Sequence, residues 1–501
     1  MNRKHFIKLA ALGGVGLVGC WDGKGGQKKT INFPINVLNN METGHLVREA
    51  INLAPTSVLK TQTLIVGAGI AGLSAANSVK NKDFLLVEMD DNLGGTSSAI
   101  DINGELFSQG AHYDLSYPKS YGQEGLNLLE HLNIVNYNSN KEEYFFKDEH
   151  YLINDHDQET CFTRNGFQDA PINKGINKED FLQLINPYVG EMKMPTRLID
   201  EKYRYLNNIT FFDFIDKYLV HDPELITGID YQMYDDYGAN CSNVSALAGI
   251  HYYACRDYYG EQKPQLFSPP QGNYYFIDKL AKNVNQSQIK SSCLAFKITK
   301  KNNKYATLVY NTKSKTVQEI ISEKIIYAGQ KNALKFIYPE YYPLFKDNKY
   351  SPWIAINFEL DSPFKTPLKW QNDMLGINKN LQGFVNSQTQ DTKQNILTMY
   401  MCYDTDERRS LPPIINNPNE IIESAMSFLD EFFNENSADK IKAAHLKIMG
   451  HAMPIPQKDY LFNDRNLQTH KDNFFFAGVD NGRLPLMFEA MDSGISAANY
   501  K

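Results

Sequence analysis

Cysteine is scarce in this chain, and none of it is spaced for a joint task. Six cysteines (Cys20, Cys161, Cys241, Cys255, Cys293 and Cys402) are spread over 501 residues with no C-x-x-C pair. That pattern excludes a disulfide framework and a zinc site. The 11 histidines never fall at H-x-H or H-x-x-x-H spacing, so no metal is expected from them. Positive charge is in the minority: 51 Lys and Arg against 58 Asp and Glu give a net charge of −7, with no basic footprint for nucleic acid. Past the first twenty positions no apolar run approaches the roughly 20 residues that cross a bilayer, so the body reads as soluble. No internal repeat is present. The length suffices for two or more domains with substantial cores.

The first twenty residues form a separate unit. M-N-R-K-H-F-I-K is a basic start, and Leu9–Gly19 is an uncharged, largely apolar run of eleven residues. That is too short to span a membrane and suits the core of a signal peptide. The run ends L-V-G-C and resembles a bacterial lipoprotein box, with cleavage before Cys20 and lipid on that cysteine. R-K-H-F-I-K also resembles a twin-arginine signal with Lys4 in place of the second arginine. The alternative is a short uncleaved N-terminal helix. The expectation is an exported protein of the cell envelope, anchored to the membrane at Cys20, with residues 1–20 as signal and 21–60 as tether and arm.

Residues 63–76, T-L-I-V-G-A-G-I-A-G-L-S-A-A, carry the most specific chemistry. Thr63–Val66 suits a buried parallel strand, and a helix follows from Leu73. Between them, Gly67, Gly69 and Gly72 form G-x-G-x-x-G. The first glycine permits the tight turn. The second lets a pyrophosphate approach the backbone, and the third lets helix and strand pack closely. The phosphates would rest on the free amides of the helix N-terminus. A second apolar strand, Phe84–Val87, ends in Glu88, at the spacing expected of a carboxylate that holds ribose hydroxyls.

Further elements follow in order. M-D-D-N-L-G-G-T-S-S (89–98) places Gly94, Gly95 and Thr96 just beyond the acid. Near the other end, F-F-F-A-G-V-D (474–480) runs into L-M-F-E-A-M-D-S-G-I-S-A-A (486–498). With these motifs the chain resembles the flavin amine oxidase superfamily, which includes phytoene desaturase-like and protoporphyrinogen oxidase-like enzymes. The resemblance implies FAD as cofactor. It implies that Glu88 holds the adenosine ribose, and that Gly94, Gly95 and Thr96 approach the phosphates and flavin. It further implies that backbone near Ala295 lies by the adenine and that Asp480 binds the ribityl–pyrophosphate region. The terminal helix would aim its N-terminus, near Phe488, at the flavin.

The same resemblance implies an α/β architecture of two interleaved parts. A Rossmann-type FAD-binding domain takes residues 61–115, 265–345 and 445–501, and an α+β substrate domain takes 116–264 and 346–444. Ile289–Tyr310 and Glu319–Ala328 alternate polar and apolar residues, as strands do.

The substrate side is aromatic, with 30 tyrosines and 28 phenylalanines in the chain. Candidates for the pocket are His112 and Tyr113, in G-A-H-Y-D, and His251. Arg256 offers a charge for a substrate carboxylate or an internal acid, and His451 precedes the C-terminal cofactor strand. Each histidine has a plainer reading as a hydrogen-bonded structural residue. Many amine oxidases of the superfamily begin a strand K-v-x-l-x-F with a lysine that holds water at the flavin. The matching segment is W-I-A-I-N-F, with Trp353 at the lysine position, unless Lys349 takes that place. The catalytic residue is therefore left open, and so is the electron acceptor. The expected activity is hydride removal from a small amine. The alternatives are a C–C desaturase acting on an isoprenoid and a non-catalytic FAD-binding lipoprotein.

Overall fold

The computed structural model describes residues 31–49, 51, 53–81, 83–112, 121–172, 176–219, 222–255, 265–366, 368–461 and 470–500. Cys20, Tyr113 and Arg256 lie outside them. Two eight-stranded sheets organise the rest.

The first sheet holds the dinucleotide motif. Ser57–Val66 lies at its centre, parallel to Phe84–Val87 on one side and to Thr316–Tyr327 on the other. Leu64, Ile65 and Leu86 are wholly buried, as an apolar strand covered on both faces must be. Thr316–Tyr327 is shared along its length. Its first half pairs antiparallel with Lys304–Asn311, and its last three residues pair parallel with Phe474–Phe476. Strand Phe474–Phe476 is thereby brought into the same sheet as Ser57–Val66, with Thr316–Tyr327 between them, across more than 400 positions of sequence.

Helices Ile70–Ser78 and Met487–Asn499 pack on each other over this sheet. Their closest approach is at Gly494, where a Cβ would stand 2.1 Å from the carbonyl oxygen of Ala71. The small-residue S-G-I-S-A-A pattern exists for that contact.

The second sheet runs Ile35–Leu38, Ile441–Pro454, Tyr350–Leu360, Ile396–Cys402, Leu381–Asn386, Gln371–Met374, Glu159–Thr163 and Gly166–Gln168. Period-two alternation sorts its residues by face. Ile354, Ile356, Phe358, Leu397 and Met399 lie under helix Asn419–Phe433, in one core with Ile422, Met426 and Leu429. Trp353, Ala355, Tyr400 and Cys402 form a separate cluster with Trp370 and Val385. Strand Ile441–Pro454 belongs wholly to this sheet, so a boundary at residue 445 cuts through one strand. A third core gathers helices Phe211–Tyr218, Pro223–Tyr237 and Ala246–Ala254.

The arm before residue 50 crosses from one sheet to the other. Ile35–Leu38 pairs parallel with Ala444–Lys447, at the edge of the second sheet. The chain then turns, with the Asn40 amide donating to the Asp90 carboxylate. Leu46, Val47 and Ile51 pack with Met89, Leu294 and Phe296 of the first domain.

The described cysteines form no disulfide with one another, and four of the five are buried. Among the described residues no helix is long and apolar enough to cross a membrane, and no group of three His, Cys, Asp or Glu side chains could hold a metal ion.

Candidate functional site

At each glycine of the turn except Gly69, the backbone leaves no room for a side chain without strain. Gly67 has φ +100°, a value that side chains other than hydrogen resist. A Cβ at position 72 would lie 1.8 Å from the Gly67 carbonyl oxygen, so helix and turn can meet only over glycine. At Gly69 the nearest atom to such a Cβ is the Gly94 carbonyl oxygen at 3.7 Å, which leaves the backbone open to a ligand. Gly94 and Gly95, at φ +124° and +58°, fold back onto this turn, and the Gly94 N–H donates to Ala68 at 3.0 Å. Both glycine motifs are one constellation.

Glu88 closes it from behind. Its carboxylate accepts from the Ala68 N–H at 2.7 Å and from the Asp90 N–H at 3.0 Å, fixed to the turn it serves. Burial pushes the carboxyl up to about 7 against the pull of those N–H groups. The Glu88 carbonyl accepts from the Cys293 N–H at 2.7 Å, which sets Ala295 on the strand that starts beside Glu88.

Asp480 is buried, and its carboxylate is already occupied within the protein. One oxygen meets the Lys331 ammonium at 2.9 Å. The other accepts from the Lys331 N–H at 2.8 Å and from the Tyr350 hydroxyl at 3.0 Å. The Lys331 side chain is wholly buried and also donates to the carbonyls of Gly329 and Ala477. Asp480 therefore organises the loop after Phe474–Phe476. Phe488 lies in the first turn of the terminal helix, its ring packed edge-on against Tyr121 at 6.1 Å. Beside it, Glu489 is wholly buried, accepting from the Thr196 N–H and facing Arg483, while Asp492 binds Arg197 through both oxygens.

A chain of contacts runs from the glycine turn to the aromatic face of the second sheet. The Thr96 carbonyl accepts from the Ala111 N–H at 3.0 Å, and a Cβ at Gly110 would meet that same oxygen at 1.9 Å. His112 follows directly. Its ring stacks on Tyr400 with centroids 4.5 Å apart and lies 5.8 Å from Trp370. Burial holds its pKa down, to about 4, against a hydrogen bond with Gln371. The ring is therefore neutral near pH 7. Trp353 joins the same cluster, its indole N–H donating to the Ser351 hydroxyl at 3.1 Å. Lys349 is exposed, so the strand brings tryptophan rather than that lysine to the wall.

Two candidates fall elsewhere. His251 is wholly buried in the helical core, near the Lys193 carbonyl at 3.3 Å, which is a structural role. His451 sits edge-on to Tyr350 beside Arg408, with its pKa held down to about 4 by burial and by that cation. Lys331, Arg197 and Arg483 were not among the candidates. Lys331 and Arg197 find their acids on distant parts of the chain, and Arg483 meets Glu489 and Asp492 only through the turn that leads into the terminal helix.

The NAD(P)-binding Rossmann-like domain family matches residues 65–123. Solved structures share the whole fold at low identity. Putrescine oxidase bound to putrescine superposes with a TM-score of 0.63 at 11% identity, over 88% of this chain and 98% of that one. Cyclohexylamine oxidase from Brevibacterium oxydans gives 0.63 at 13%, over 87% and 98%. A candidate protoporphyrinogen oxidase from an Exiguobacterium species gives 0.60 at 11%, over 89% and 98%. The chain has the two-domain fold of these oxidases, and the α/β architecture read from its motifs stands.

Proposed function

We propose that this chain is an FAD-dependent oxidoreductase of the flavin amine oxidase type, and that its substrate is a small amine. The observation that carries the reading is the unbroken path from the glycine turn to the aromatic cluster of the second sheet: Gly94–Thr96, then Ala111, then His112 stacked on Tyr400. Gly67, Gly69, Gly72, Glu88, Gly94 and Gly95 would hold FAD, and the open backbone at Gly69, where a Cβ would meet nothing nearer than the Gly94 carbonyl oxygen at 3.7 Å, leaves room for such a ligand. When bound, FAD supplies the hydride acceptor.

The residues of this chain do the rest. Tyr400, Trp370 and Trp353 offer aromatic faces that exclude water and attract an ammonium before it loses its proton. His112, neutral at pH 7, adds no repelling charge. Trp353 cannot polarise a water as a lysine would, so reoxidation by oxygen is slow and an artificial acceptor supports faster turnover.

Purified protein should release one FAD per chain on heating. Anaerobic addition of mono-, di- or polyamines should bleach the flavin band near about 450 nm. Release of FMN or NAD would refute the cofactor. Bleaching by an isoprenoid and by no amine would move the assignment to a desaturase, and rapid peroxide formation in air would overturn the inference from Trp353.

The envelope location is a second part of this proposal, supported by the Leu9–Gly19 run and the L-V-G-C ending. Labelled fatty acid should enter the wild type and not Cys20→Ala, which should accumulate uncleaved. Equal membrane recovery of both proteins would refute lipid attachment.

A further inference from the structure

The cofactor turn has no positive charge of its own. Neither Thr63–Ser78 nor Met89–Ser98 contains a lysine, arginine or histidine. A pyrophosphate brings two negative charges, and helix amides meet only part of them. The nearest acids, Glu88 and Asp90, deepen the deficit.

One cation of the other domain stands in the right place. Strand Ile441–Pro454 alternates faces. Ala444, Leu446 and Ile448 point into the core beneath helix Asn419–Phe433. His445, Lys447 and Met449 therefore share the opposite face. His445 is spoken for by Glu359 at 2.7 Å, and Met449 packs with the aromatic wall. Lys447 lies between them, opposite Ala355 of that same wall and opposite Leu38 of the arm. It is half-buried, and it makes no hydrogen bond and no ion pair with a described residue.

Leu38, the partner of Lys447 on the arm, lies two residues before Asn40, whose amide donates to the Asp90 carboxylate. The arm thus ties the Lys447 rung to the acids after strand Phe84–Val87. Asp90 feels the Lys447 charge, and Lys447 feels those of Asp90 and Glu88. Burial lowers its pKa, and the two acids partly restore it. Ammonium groups are strongly hydrated and rarely left without a partner when partly buried. A dinucleotide that runs from the Gly67–Gly72 turn past Glu88 carries its only formal charges on the pyrophosphate. That is the acceptor Lys447 lacks.

We propose that Lys447 reaches across from the second sheet to neutralise the pyrophosphate of the bound dinucleotide, in place of a cation in the glycine turn. The proposal rests on the FAD reading above. Lys447 is a positioning residue for the cofactor, and it makes FAD binding depend on both domains being docked.

The test is FAD affinity, measured by flavin fluorescence quenching on FAD-stripped full-length protein across a range of ionic strength. Lys447→Gln should weaken FAD at least about tenfold and flatten the salt dependence. Lys447→Arg should stay within about threefold of wild type, because it restores the charge. The FAD-free melting temperature of Lys447→Gln should stay close to that of wild type, since Lys447 makes no hydrogen bond and no ion pair with a described residue. Wild-type affinity and wild-type salt slope in Lys447→Gln would overturn the proposal. So would an FAD-free Lys447→Gln that melts well below wild type, because the lysine would then be structural. Failure of the wild type to bind FAD at all would instead strike the functional reading itself, so the two failures are distinguishable.

Discussion

Gly72→Ala should strip the protein of its dinucleotide. The added carbon would stand 1.8 Å from the carbonyl oxygen of Gly67 and 3.0 Å from its carbon. Neither partner can step aside cheaply. Gly67 is held by its N–H to Val87 at 2.8 Å, and the strand before it is tied to Ala328 at the same distance. The helix must therefore lift by an ångström or more, taking its first amides away from the phosphate. Misplacement of about 1 Å costs a positioned ligand about two orders of magnitude. Overpacking adds about 1–3 kcal/mol of instability. Flavin absorbance per chain after gel filtration, beside a thermal melt, reads both effects. A yellow Gly72→Ala protein with wild-type FAD content would show that the turn does not seat the cofactor.

Lys331→Met should cost about 3–5 kcal/mol, the scale for removing one partner of a buried pair. Asp480 would keep the Tyr350 hydroxyl and the Lys331 N–H but lose its counter-charge in a buried site. The Gly329 and Ala477 carbonyls would lose their donor as well. The double variant Lys331→Met/Asp480→Asn should recover part of the loss, because the orphaned charge goes with the second change. Urea unfolding of the three proteins measures it. A double variant no more stable than Lys331→Met would mean that the ammonium, and not the pair, holds the loop.

How much of this was legible in the sequence depends on how far each contact reaches. The Gly67–Gly72 turn, Glu88 and the Gly94–Gly95 pair lie within thirty positions, so backbone geometry alone fixes their spacing. Gly110–His112 was legible as a turn, and its place beside Thr96 follows from a single hydrogen bond. Trp353 could be read only by choosing a strand register. The alternation Trp353 and Ala355 against Ile354 and Ile356 settles which side chains face the wall. His251 looked like a pocket residue because its neighbours are aromatic, but helix Ala246–Ala254 is buried along its entire length. The strand cut at residue 445 shows the same limit, since sheet membership is decided by partners from residues 350–360. Lys331 and Lys447 were invisible for the deepest reason. A lysine is ordinarily a solvated residue, and only the fold shows which one has been taken out of water.

The arm has a mechanical consequence. Ile35–Leu38 runs parallel to Ala444–Lys447, so tension applied along the chain upstream of residue 31 loads those four rungs together, in shear, rather than unzipping them singly. The last rung, Leu38, lies opposite Lys447. Slippage there would drag on Lys447 and, through it, on Ala355 of the aromatic cluster, and a change in tryptophan fluorescence under load would register it.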